Sequence, residues 1–404
     1  MPYTHFRYIA YQLPTIGGSP NPRRPGDPPA DVPYQFRATP PGNLPVTQAA
    51  LMAFLSRFPE LDNDSQIRVG RFVKVLERAA VRLEHIGGDN DQTLKIFTAP
   101  EFYFRPPNAE FAYTYAQYRG IKAALRTYVD EHRDQFRHWL IFCGTIMWQG
   151  VFAPGWWDAI TGAAKRRGNP HTEGFFNSCV YIYGGDPRPR QGSRVVEKAN
   201  ASNIDGLPGI TDGAAPPPGV DRNAAGRLYH QRYQSPAKQQ KHIFNIGGVN
   251  IGLDICLEHG AGLRVVRNAF LNTFFPRYVQ LHVIVAGGMT IRETSVSAIQ
   301  GGFVLRNDGI NVRGLPVDNT RVECLSVSRY TDPPGTPAEP RFPQELDSTA
   351  HFAAAPIPIQ DEVRFTPGAL HWVPAPPGTN PEWDAHFQGL KFMRAEAIPD
   401  PPTI

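Results

Sequence analysis

The sequence predicts an α/β domain in which helices cover layered β-sheets. Over much of the 404-residue chain, short apolar segments alternate with longer segments whose apolar residues recur at helical spacing, the pattern of strands and helices in alternation. The apolar segments are nearly continuous, as in strands that are covered on both faces. Between two of them, Gly247 and Gly248 predict a hairpin, which argues against a purely parallel sheet.

The N-terminal half contains most of the predicted helices. Residues 65–85 repeat apolar side chains every three or four positions and therefore predict a helix, and residues 47–58 and 109–137 have the same character. The strands predicted around them are short, apolar and bounded by turn residues. They comprise residues 5–12, 94–104, 139–148, 175–183 and 194–198.

The C-terminal half predicts mainly strands. Residues 241–246 and 249–256 form the two arms of the glycine hairpin. Apolar periodicity predicts two further helices, and short apolar runs predict three further strands. The helices are residues 262–277 and 295–302, and the strands are residues 281–286, 303–306 and 320–327.

Proline is abundant and clustered. The chain has 41 prolines among 404 residues, about twice the usual share, and they gather in residues 14–45, 206–226 and 333–404. Between regular elements, such segments form long surface loops more often than linkers. The net charge of +4 is not gathered into one basic face, so the composition argues against a nucleic-acid partner.

Cysteine usage and the start of the chain suggest a compartment. The four cysteines are scattered, with no CxxC pair and no histidine at ligand spacing, which argues against a zinc site. Sparse cysteines suit a reducing compartment. The first residues lack a secretory-signal pattern, and no apolar run reaches the roughly 18–20 residues of a membrane helix. We therefore expect a cytoplasmic protein that does not contact a membrane.

Two polar residues stand where apolar strands end. Glu101 lies at a proline-containing exit among three aromatic residues, and a carboxylate withdrawn from water in this way suits a general base. Lys198 ends the extended segment at residues 194–198, where an amine can stabilise a developing oxyanion. The plain alternatives are a loop carboxylate paired with a lysine and an ordinary surface lysine.

Cys256 is the candidate nucleophile. It ends the apolar segment at residues 249–256 and is followed by Glu258, His259 and a glycine before the next predicted helix. A transition from strand to turn to helix projects a side chain and directs backbone N–H groups towards whatever it attacks. The alternatives are an inert core cysteine and a Cys–His dyad with His259, whose side chain we expect to point away from the sulfur.

The ordered set of Glu101, Lys198 and Cys256, each at a strand end, resembles the nitrilase-like carbon–nitrogen hydrolase superfamily. The likeness covers roughly residues 5–12 and 66–330. Besides the residues around Cys256, several segments are similar to strands and turns of that family. They are Tyr8-Ile9-Ala10-Tyr11-Gln12, Ala99-Pro100-Glu101, Phe142-Cys143-Gly144-Thr145, Phe176-Asn177-Ser178-Cys179-Val180-Tyr181-Ile182 and Val283-Ile284-Val285-Ala286-Gly287-Gly288.

The resemblance implies a four-layer α-β-β-α sandwich with long Pro/Gly-rich insertions, assembled as a homodimer or a higher homo-oligomer. The hydrolase domain would span residues 1–330, with insertions at about 14–45 and 199–240. Residues 331–404 would form a Pro-rich C-terminal extension that packs on the domain or on a partner subunit.

The resemblance also implies hydrolysis of a non-peptide carbon–nitrogen bond, with an amide as the favoured substrate, through a thioester acyl-enzyme on Cys256. Glu101 would act as the base, and Lys198 would stabilise negative charge. The partner would be a small amide or nitrile, and no metal or organic cofactor is needed. Nitrile hydrolysis, acyl transfer to an amine and a catalytically degenerate scaffold or binding protein are the alternatives.

The chain departs from the usual pattern of the family around these residues. It has no Glu from residue 199 to 257, where many members carry a second glutamate, and Asp205 is the nearest acidic candidate. Leu257 stands where an aromatic residue commonly follows the cysteine, which leaves the substrate class open. Glu258 matches an acidic residue that the family carries two positions after the cysteine, and it would either orient the turn that contains Cys256 or assist catalysis. Aromatic residues are candidates to line an acyl pocket or simply to pack: Phe102, Tyr103, Phe104, Trp156 and Trp157.

Overall fold

Strands outnumber helices in the part of the chain that the structure describes. The computed structural model describes residues 3–13, 15–17, 48–87, 90–106, 112–152, 172–186, 193–198, 242–260, 266, 279–311, 322–332, 336–337, 351–365 and 388–400. The helices are α1 (Gln48–Leu55), α2 (Asn63–Ile86), α3 (Tyr115–Glu131) and α4 (Arg133–Phe136). The strands are β1 (His5–Gln12), β2 (Ile16–Gly17), β3 (Thr93–Thr98), β4 (Tyr113–Thr114), β5 (Trp139–Phe152), β6 (Thr172–Tyr183), β7 (Ser193–Glu197), β8 (Ile243–Ile246), β9 (Val249–Ile255), β10 (Val279–Ala286), β11 (Ala298–Asp308), β12 (Ile310–Asn311), β13 (Val322–Asp332), β14 (Thr336–Pro337), β15 (His351–Pro356), β16 (Ile359–Phe365), β17 (Gln388–Met393) and β18 (Glu396–Ala397).

Two large mixed sheets organise the chain. The first has nine strands in the order β16-β17-β1-β3-β5-β6-β7, with β4 on β5 and β18 on β1. The second has seven in the order β14-β13-β11-β10-β9-β8, with β15 on β13. In each sheet a parallel centre, β1-β3-β5 or β9-β10-β11, carries antiparallel strands at its flanks. A mixed α/β protein was the prediction, and this part of it is confirmed.

The two sheets pack face to face over one apolar core. In β1, Phe6, Tyr8 and Ala10 point into the core between the sheets, where side chains from β9 and β10 meet them. The alternate residues Ile9 and Tyr11 point the other way, into a second core formed with the helices. Because successive side chains of a strand face opposite sides, β1 is covered on both faces. The described residues therefore form a helix layer followed by two sheet layers.

The fourth layer of the predicted sandwich stays a prediction. The helix predicted at residues 262–277 lies outside the described residues except for Val266, which is helical and buried. Val266 packs with Val279 and Ile243 on the side of the second sheet that faces away from the first. Within the part of the chain that the structure describes, no helix is both long enough and apolar enough to cross a membrane.

Local signals set the ends of the helices. The Asp62 carboxylate accepts the N–H of Ser65 at 2.9 Å and caps the start of α2. The predicted helix at residues 109–137 begins only at Tyr115, because Tyr113 and Thr114 pair with β5 and Thr114 then forms a capping box with Gln117.

The helix predicted at residues 295–302 is wrong. A short 3₁₀ turn covers Glu293–Ser295, and β11 then runs from Ala298 in parallel with β10. The register between these strands shifts, and the shift is accommodated at a glycine pair that includes Gly302. A Cβ on Gly302 would lie 2.6 Å from the carbonyl oxygen of Gln280 on β10, so this close approach requires glycine. Long-range pairing has overridden the local helical spacing.

Other predicted elements are present. The N-terminal strand spans His5–Gln12 as predicted, and β8 and β9 form the predicted hairpin. Gly247 and Gly248 both have positive φ, 56° and 91°, at its turn.

The C-terminal residues contribute to both sheets. In the first sheet β17 pairs with β1, and in the second sheet β15 pairs with β13. The domain boundary near residue 330 and the role of the tail stay predictions. Apart from residues 15–17, the two predicted insertions lie outside the described residues.

Candidate active site

The structure brings Glu101, Lys198 and Cys256 together at one end of the two sheets. Glu101 follows β3, Lys198 follows β7 and Cys256 follows β9. Lys198 Nζ donates to Glu101 Oε1 at 2.9 Å, and both side chains are fully buried. Cys256 lies beside this pair, close enough for the charges of Glu101 and Lys198 to shift the pKa of its thiol. Three residues that lie far apart in the sequence thus meet at one site, with Glu101 and Lys198 alone 97 residues apart.

The backbone at this site is strained. Among the described residues, Phe102 (φ 61°) and Cys256 (φ 48°) are the non-glycine residues with positive φ. A left-handed conformation costs an L-residue roughly 1–2 kcal/mol, so the surrounding structure must hold both residues in place. One of them is the candidate nucleophile, and the other directly follows the candidate base. Strain of this kind concentrates at functional sites.

Two hydroxyl groups hold the turn that carries Glu101. The Phe102 N–H donates to Thr145 Oγ1 at 2.8 Å, and Thr15 Oγ1 donates to the Glu101 carbonyl oxygen at 2.5 Å. Gly144, next to Thr145, has φ 76°, and a Cβ there would lie 2.5 Å from the carbonyl oxygen of Pro100. β5 therefore passes directly against the turn, and glycine is needed for that approach.

Asn177 is a polar partner of Glu101 that sequence reasoning did not assign. Its side-chain Nδ2 donates to Glu101 Oε1 at 2.9 Å, and its backbone carbonyl oxygen accepts the backbone N–H of Lys198 at 2.8 Å. One residue of β6 thus positions both members of the ion pair. The available signal was an amide side chain in the middle of an apolar strand, where an unpaired polar group is costly.

The aromatic residues around Glu101 divide into two groups. Tyr103 and Phe104 belong to the core between the helices and the first sheet, so they serve packing. Phe102 instead packs with Met147, and its ring lies 5.5 Å from Lys198 Nζ and 5.2 Å from the Arg105 guanidinium carbon. Phe102 is the aromatic side chain of this group that borders the site. Trp156 and Trp157 lie outside the described residues.

The resting thiol is protonated. Burial, followed by the negative charge of Glu101, raises the pKa of Cys256 well above its ordinary value. The Lys198 ammonium and the Gly287 backbone N–H lower this pKa and oppose the effect. A neutral thiol against a carboxylate can pass its proton to that carboxylate when the sulfur attacks.

The supporting residues predicted around Cys256 have different positions. Glu258 is buried, and its Oε2 accepts the Ile255 N–H at 2.9 Å, which ties the turn to the end of β9. Leu257 is half-buried, and its carbonyl oxygen accepts the Gly260 N–H at 2.8 Å. Asp205 lies outside the described residues.

His259 does not form a dyad with Cys256. Its Nδ1 lies 3.0 Å from Asp254 Oδ2, and its Nε2 accepts the Arg292 N–H at 3.0 Å. Both ring nitrogens are engaged on the side away from the sulfur. The prediction that this side chain points away from Cys256 agrees with that geometry.

Two groups of acidic and histidine side chains near the turn have donor atoms close enough together to raise the question of a metal ion. Hydrogen bonds argue against one. His242 Nδ1 lies 2.8 Å from the Leu253 carbonyl oxygen, which can only accept, so this nitrogen carries a proton and has no lone pair for a metal. The groups are Asp254, His259 and His282, and His242, Asp254 and Glu258.

Comparisons with known proteins give limited similarity. No protein-family model and no curated protein matches the sequence. Among solved structures, the chain is similar to a cysteine-to-alanine mutant of the Nesterenkonia AN1 amidase from the nitrilase superfamily, at 13% identity and a TM-score of 0.28, over 88% of this chain and 91% of that chain. It is also similar to this amidase mutant in complex with butyramide, at 13% identity and a TM-score of 0.28, over 76% and 77% of the two chains. A TM-score this low carries no argument, so the case for a function rests on the geometry of the site.

Proposed function

We propose that this protein hydrolyses a non-peptide carbon–nitrogen bond, an amide in preference to a nitrile, through a thioester on Cys256. The observation that carries the proposal is that Cys256 lies beside the buried ion pair of Glu101 and Lys198, whose charges both act on its thiol. A nucleophile next to a base, with a cation beside both, is the arrangement that covalent acyl transfer needs.

In the first half of the reaction, Glu101 takes the thiol proton while the sulfur attacks the amide carbon. A carbon–sulfur bond forms, and the carbonyl π electrons move onto oxygen. Lys198 and the backbone N–H that follows Cys256 stabilise that negative charge. The protonated Glu101 then gives its proton to the nitrogen, the carbon–nitrogen bond breaks, and the amine departs with the thioester left on Cys256.

In the second half, Glu101 takes a proton from water as the water oxygen attacks the thioester carbon. Collapse of the new tetrahedral intermediate releases the carboxylic acid and returns the proton to Cys256. Glu101 thus acts twice as base and twice as acid, and Lys198 stays charged throughout. The turn that carries the sulfur is strained, with φ 48° at Cys256.

Ammonia release tests the proposal. The purified protein is incubated with short aliphatic and aromatic primary amides and with the matching nitriles. We expect ammonia from amides, a loss of at least about 10³-fold in kcat for Cys256→Ala, and little change for Cys324→Ala, a buried cysteine of the inter-sheet core. Mass spectrometry of acid-quenched reactions should show the acyl group on the peptide that contains Cys256.

Other outcomes separate the alternatives. Ammonia from nitriles alone would make the protein a nitrilase, and faster product formation with added hydroxylamine would indicate acyl transfer. Equal activity of the Cys256→Ala variant and the wild type would overturn covalent catalysis by this residue. Slow alkylation of Cys256 by iodoacetamide relative to the other three cysteines, together with no turnover, would support a scaffold or binding protein.

A further inference from the structure

A second buried polar group lies on the outer face of the second sheet, directly behind the nucleophile. Asp254 on β9 accepts from His282 Nε2 at 2.9 Å and from His259 Nδ1 at 3.0 Å through the same Oδ2. Its Oδ1 accepts the Val266 N–H at 3.1 Å. All three ionisable side chains are fully buried. We call Asp254, His259 and His282 the rear cluster.

Backbone donors fix the protonation of the two histidines. The Arg292 N–H donates to His259 Nε2 at 3.0 Å, and the Ser297 N–H donates to His282 Nδ1 at 3.1 Å. Each of these nitrogens must therefore present a lone pair, and each ring carries its single proton on the nitrogen that faces Asp254. The rear cluster is one carboxylate that accepts from two neutral imidazoles and one backbone amide.

This arrangement is unsuited to a metal ion. A histidine ligand normally donates the N–H of its other ring nitrogen to an acceptor. In the rear cluster the other nitrogens of His259 and His282 face N–H donors instead. To bind a metal, each ring would have to lose its remaining proton and become an anion. The rear cluster is therefore better explained as a set of hydrogen bonds that holds backbone in place.

The backbone that it holds is the backbone that contacts the thiol. The nucleophile turn is the segment from Asp254 to His259 that contains Cys256. The hydrogen bond between Asp254 and His259 joins the two ends of this turn. His259 also accepts from Arg292 in the segment that follows β10. That same segment begins at Gly287, whose backbone N–H lies close enough to Cys256 to lower the pKa of its thiol. One cluster thus ties together both segments that touch the nucleophile.

We propose that Asp254, His259 and His282 are positioning residues that hold Cys256 against Glu101, Lys198 and the Gly287 N–H, an inference that rests on the function proposed above. The left-handed φ of Cys256 is a conformation that the turn would otherwise leave. His282 anchors Asp254 from the neighbouring strand, and Asp254 in turn anchors the far end of the turn through His259. None of the three touches the sulfur or the substrate.

Asparagine at position 254 tests the cluster with little change of volume. The Asp254→Asn side chain has one acceptor oxygen and one donor nitrogen, so it cannot accept from both imidazoles and from Val266. Neither histidine can change tautomer to compensate, because backbone N–H groups occupy the other nitrogens. We expect kcat for the best amide to fall about 100-fold, with KM within about twofold of wild type.

Two substitutions of His259 each keep one of its two hydrogen bonds and remove the other. His259→Asn places an amide N–H near Nδ1 and keeps the bond to Asp254, whereas His259→Gln places an amide oxygen near Nε2 and keeps the bond from Arg292. If the cluster positions the nucleophile turn, kcat is higher in His259→Asn than in His259→Gln, whatever the order of their thermal midpoints. Equal kcat values in the two variants, or a lower kcat in His259→Asn, would mean a role in stability alone and would overturn the proposal. This pair decides the question even if Asp254→Asn does not fold.

Gln280→Met is the matched control. Gln280 is buried on β10, like His282, and its Oε1 accepts the Asn250 N–H from β9 at 2.9 Å, but it lies near the start of β10, away from the end of the strand that leads to Gly287. The control should lower the thermal midpoint and leave kcat unchanged.

Alkylation of Cys256 by iodoacetamide reads the same positioning without turnover. Displacement of the sulfur takes it away from Glu101, which would accept its proton during alkylation, and from Lys198, which stabilises the thiolate. We expect labelling about tenfold slower in Asp254→Asn and unchanged in Gln280→Met. If the wild type hydrolyses no amide but this difference appears, the proposed reaction fails and the positioning role stands. An unchanged or faster rate in Asp254→Asn overturns the positioning role.

Discussion

Two buried polar clusters meet at the nucleophile turn, and they differ in where their protons can go. In the front cluster of Glu101, Lys198 and Cys256, a thiol with a raised pKa lies beside a carboxylate that can take its proton. In the rear cluster, every ring nitrogen faces a group that can only donate or an anion that can only accept. The front cluster contains a transferable proton, whereas the protons of the rear cluster are fixed.

The difference indicates how one short turn can be strained and still keep a single conformation. A reactive thiol needs a base whose hydrogen bond can be given up during the reaction, so its own contacts cannot fix its position firmly. The rear cluster fixes the conformation of the turn from the other side of the sheet, through the hydrogen bond between Asp254 and His259 on either side of Cys256. Chemistry and positioning are thereby assigned to different side chains that share one segment of backbone.

The largest expected effect comes from Glu101→Gln in the front cluster. Like Asp254→Asn in the rear cluster, it replaces a carboxylate with an amide of similar volume, so the two clusters can be compared directly. The amide can still accept from Lys198 and Asn177, but it cannot take the thiol proton. We expect kcat to fall by about 10³-fold, and the loss should persist at every pH between 6 and 9. Loss of the anion also leaves the Lys198 ammonium buried without its counter-charge, which costs roughly 3–5 kcal/mol of unfolding free energy.

Glu131→Gln is the control for the charge change. Glu131 pairs with Arg57 at 2.6 Å, but both side chains are largely exposed, 42% and 49%, and such pairs contribute about 0–1 kcal/mol. Urea unfolding and kcat are measured for Glu101→Gln and Glu131→Gln. The comparison shows whether an effect comes from the buried position of the carboxylate or from the loss of one negative charge. A Glu101→Gln enzyme that retains more than a tenth of wild-type kcat would remove Glu101 from the role of base.

The front cluster could be predicted because its members stand at the ends of apolar strands. Glu101, Lys198 and Cys256 were identified by residue type, by position after a strand and by their order along the chain. The strand at His5–Gln12 and the hairpin about Gly247 were predictable for a similar reason. In each case a local pattern of apolar residues and turn residues carries the information.

The rear cluster could not be predicted because its contacts depend on register. Asp254 and His282 meet only because β9 and β10 pair in parallel with Ile284 opposite Asp254, and no local pattern encodes that alignment. The same cause explains the misassigned helix at residues 295–302, where pairing of β11 with β10 overrides local spacing. Asn177 was overlooked because it lies inside the apolar strand β6 and not at a strand end, so no local pattern pairs it with Glu101.

A smaller effect is expected from Thr145→Val, which tests how the front cluster is held rather than what it does. The substitution keeps the shape of the side chain and leaves the Phe102 N–H without its acceptor. We expect a loss of about 1–3 kcal/mol in unfolding free energy and a fall in kcat of about tenfold, because the strained turn after Glu101 relaxes. Thr93→Val is the control, since Thr93 is buried at the opposite end of β3; a similar loss of kcat there would mean that general destabilisation explains both.

The smallest expected effect is a change in how stability depends on pH, and it probes the fixed protons of the rear cluster. Burial lowers the pKa of His259 below its ordinary 6.5, and although burial alone would raise the pKa of Asp254, the two histidines, His282 first, hold it below its ordinary 3.8. In both cases the unfolded chain takes up protons that the folded protein does not, so stability falls as pH falls, from about 6.5 through His259 and below 3.8 through Asp254. Urea unfolding at pH 7.5 and pH 5 should therefore show a smaller difference in His259→Asn than in wild type, whereas His85→Asn, a change at an exposed histidine, should leave the difference unaltered. Equal differences in wild type and His259→Asn would mean that His259 takes up its proton in the folded protein over the same pH range as in the unfolded chain, which would contradict the tautomer assigned from the Arg292 N–H.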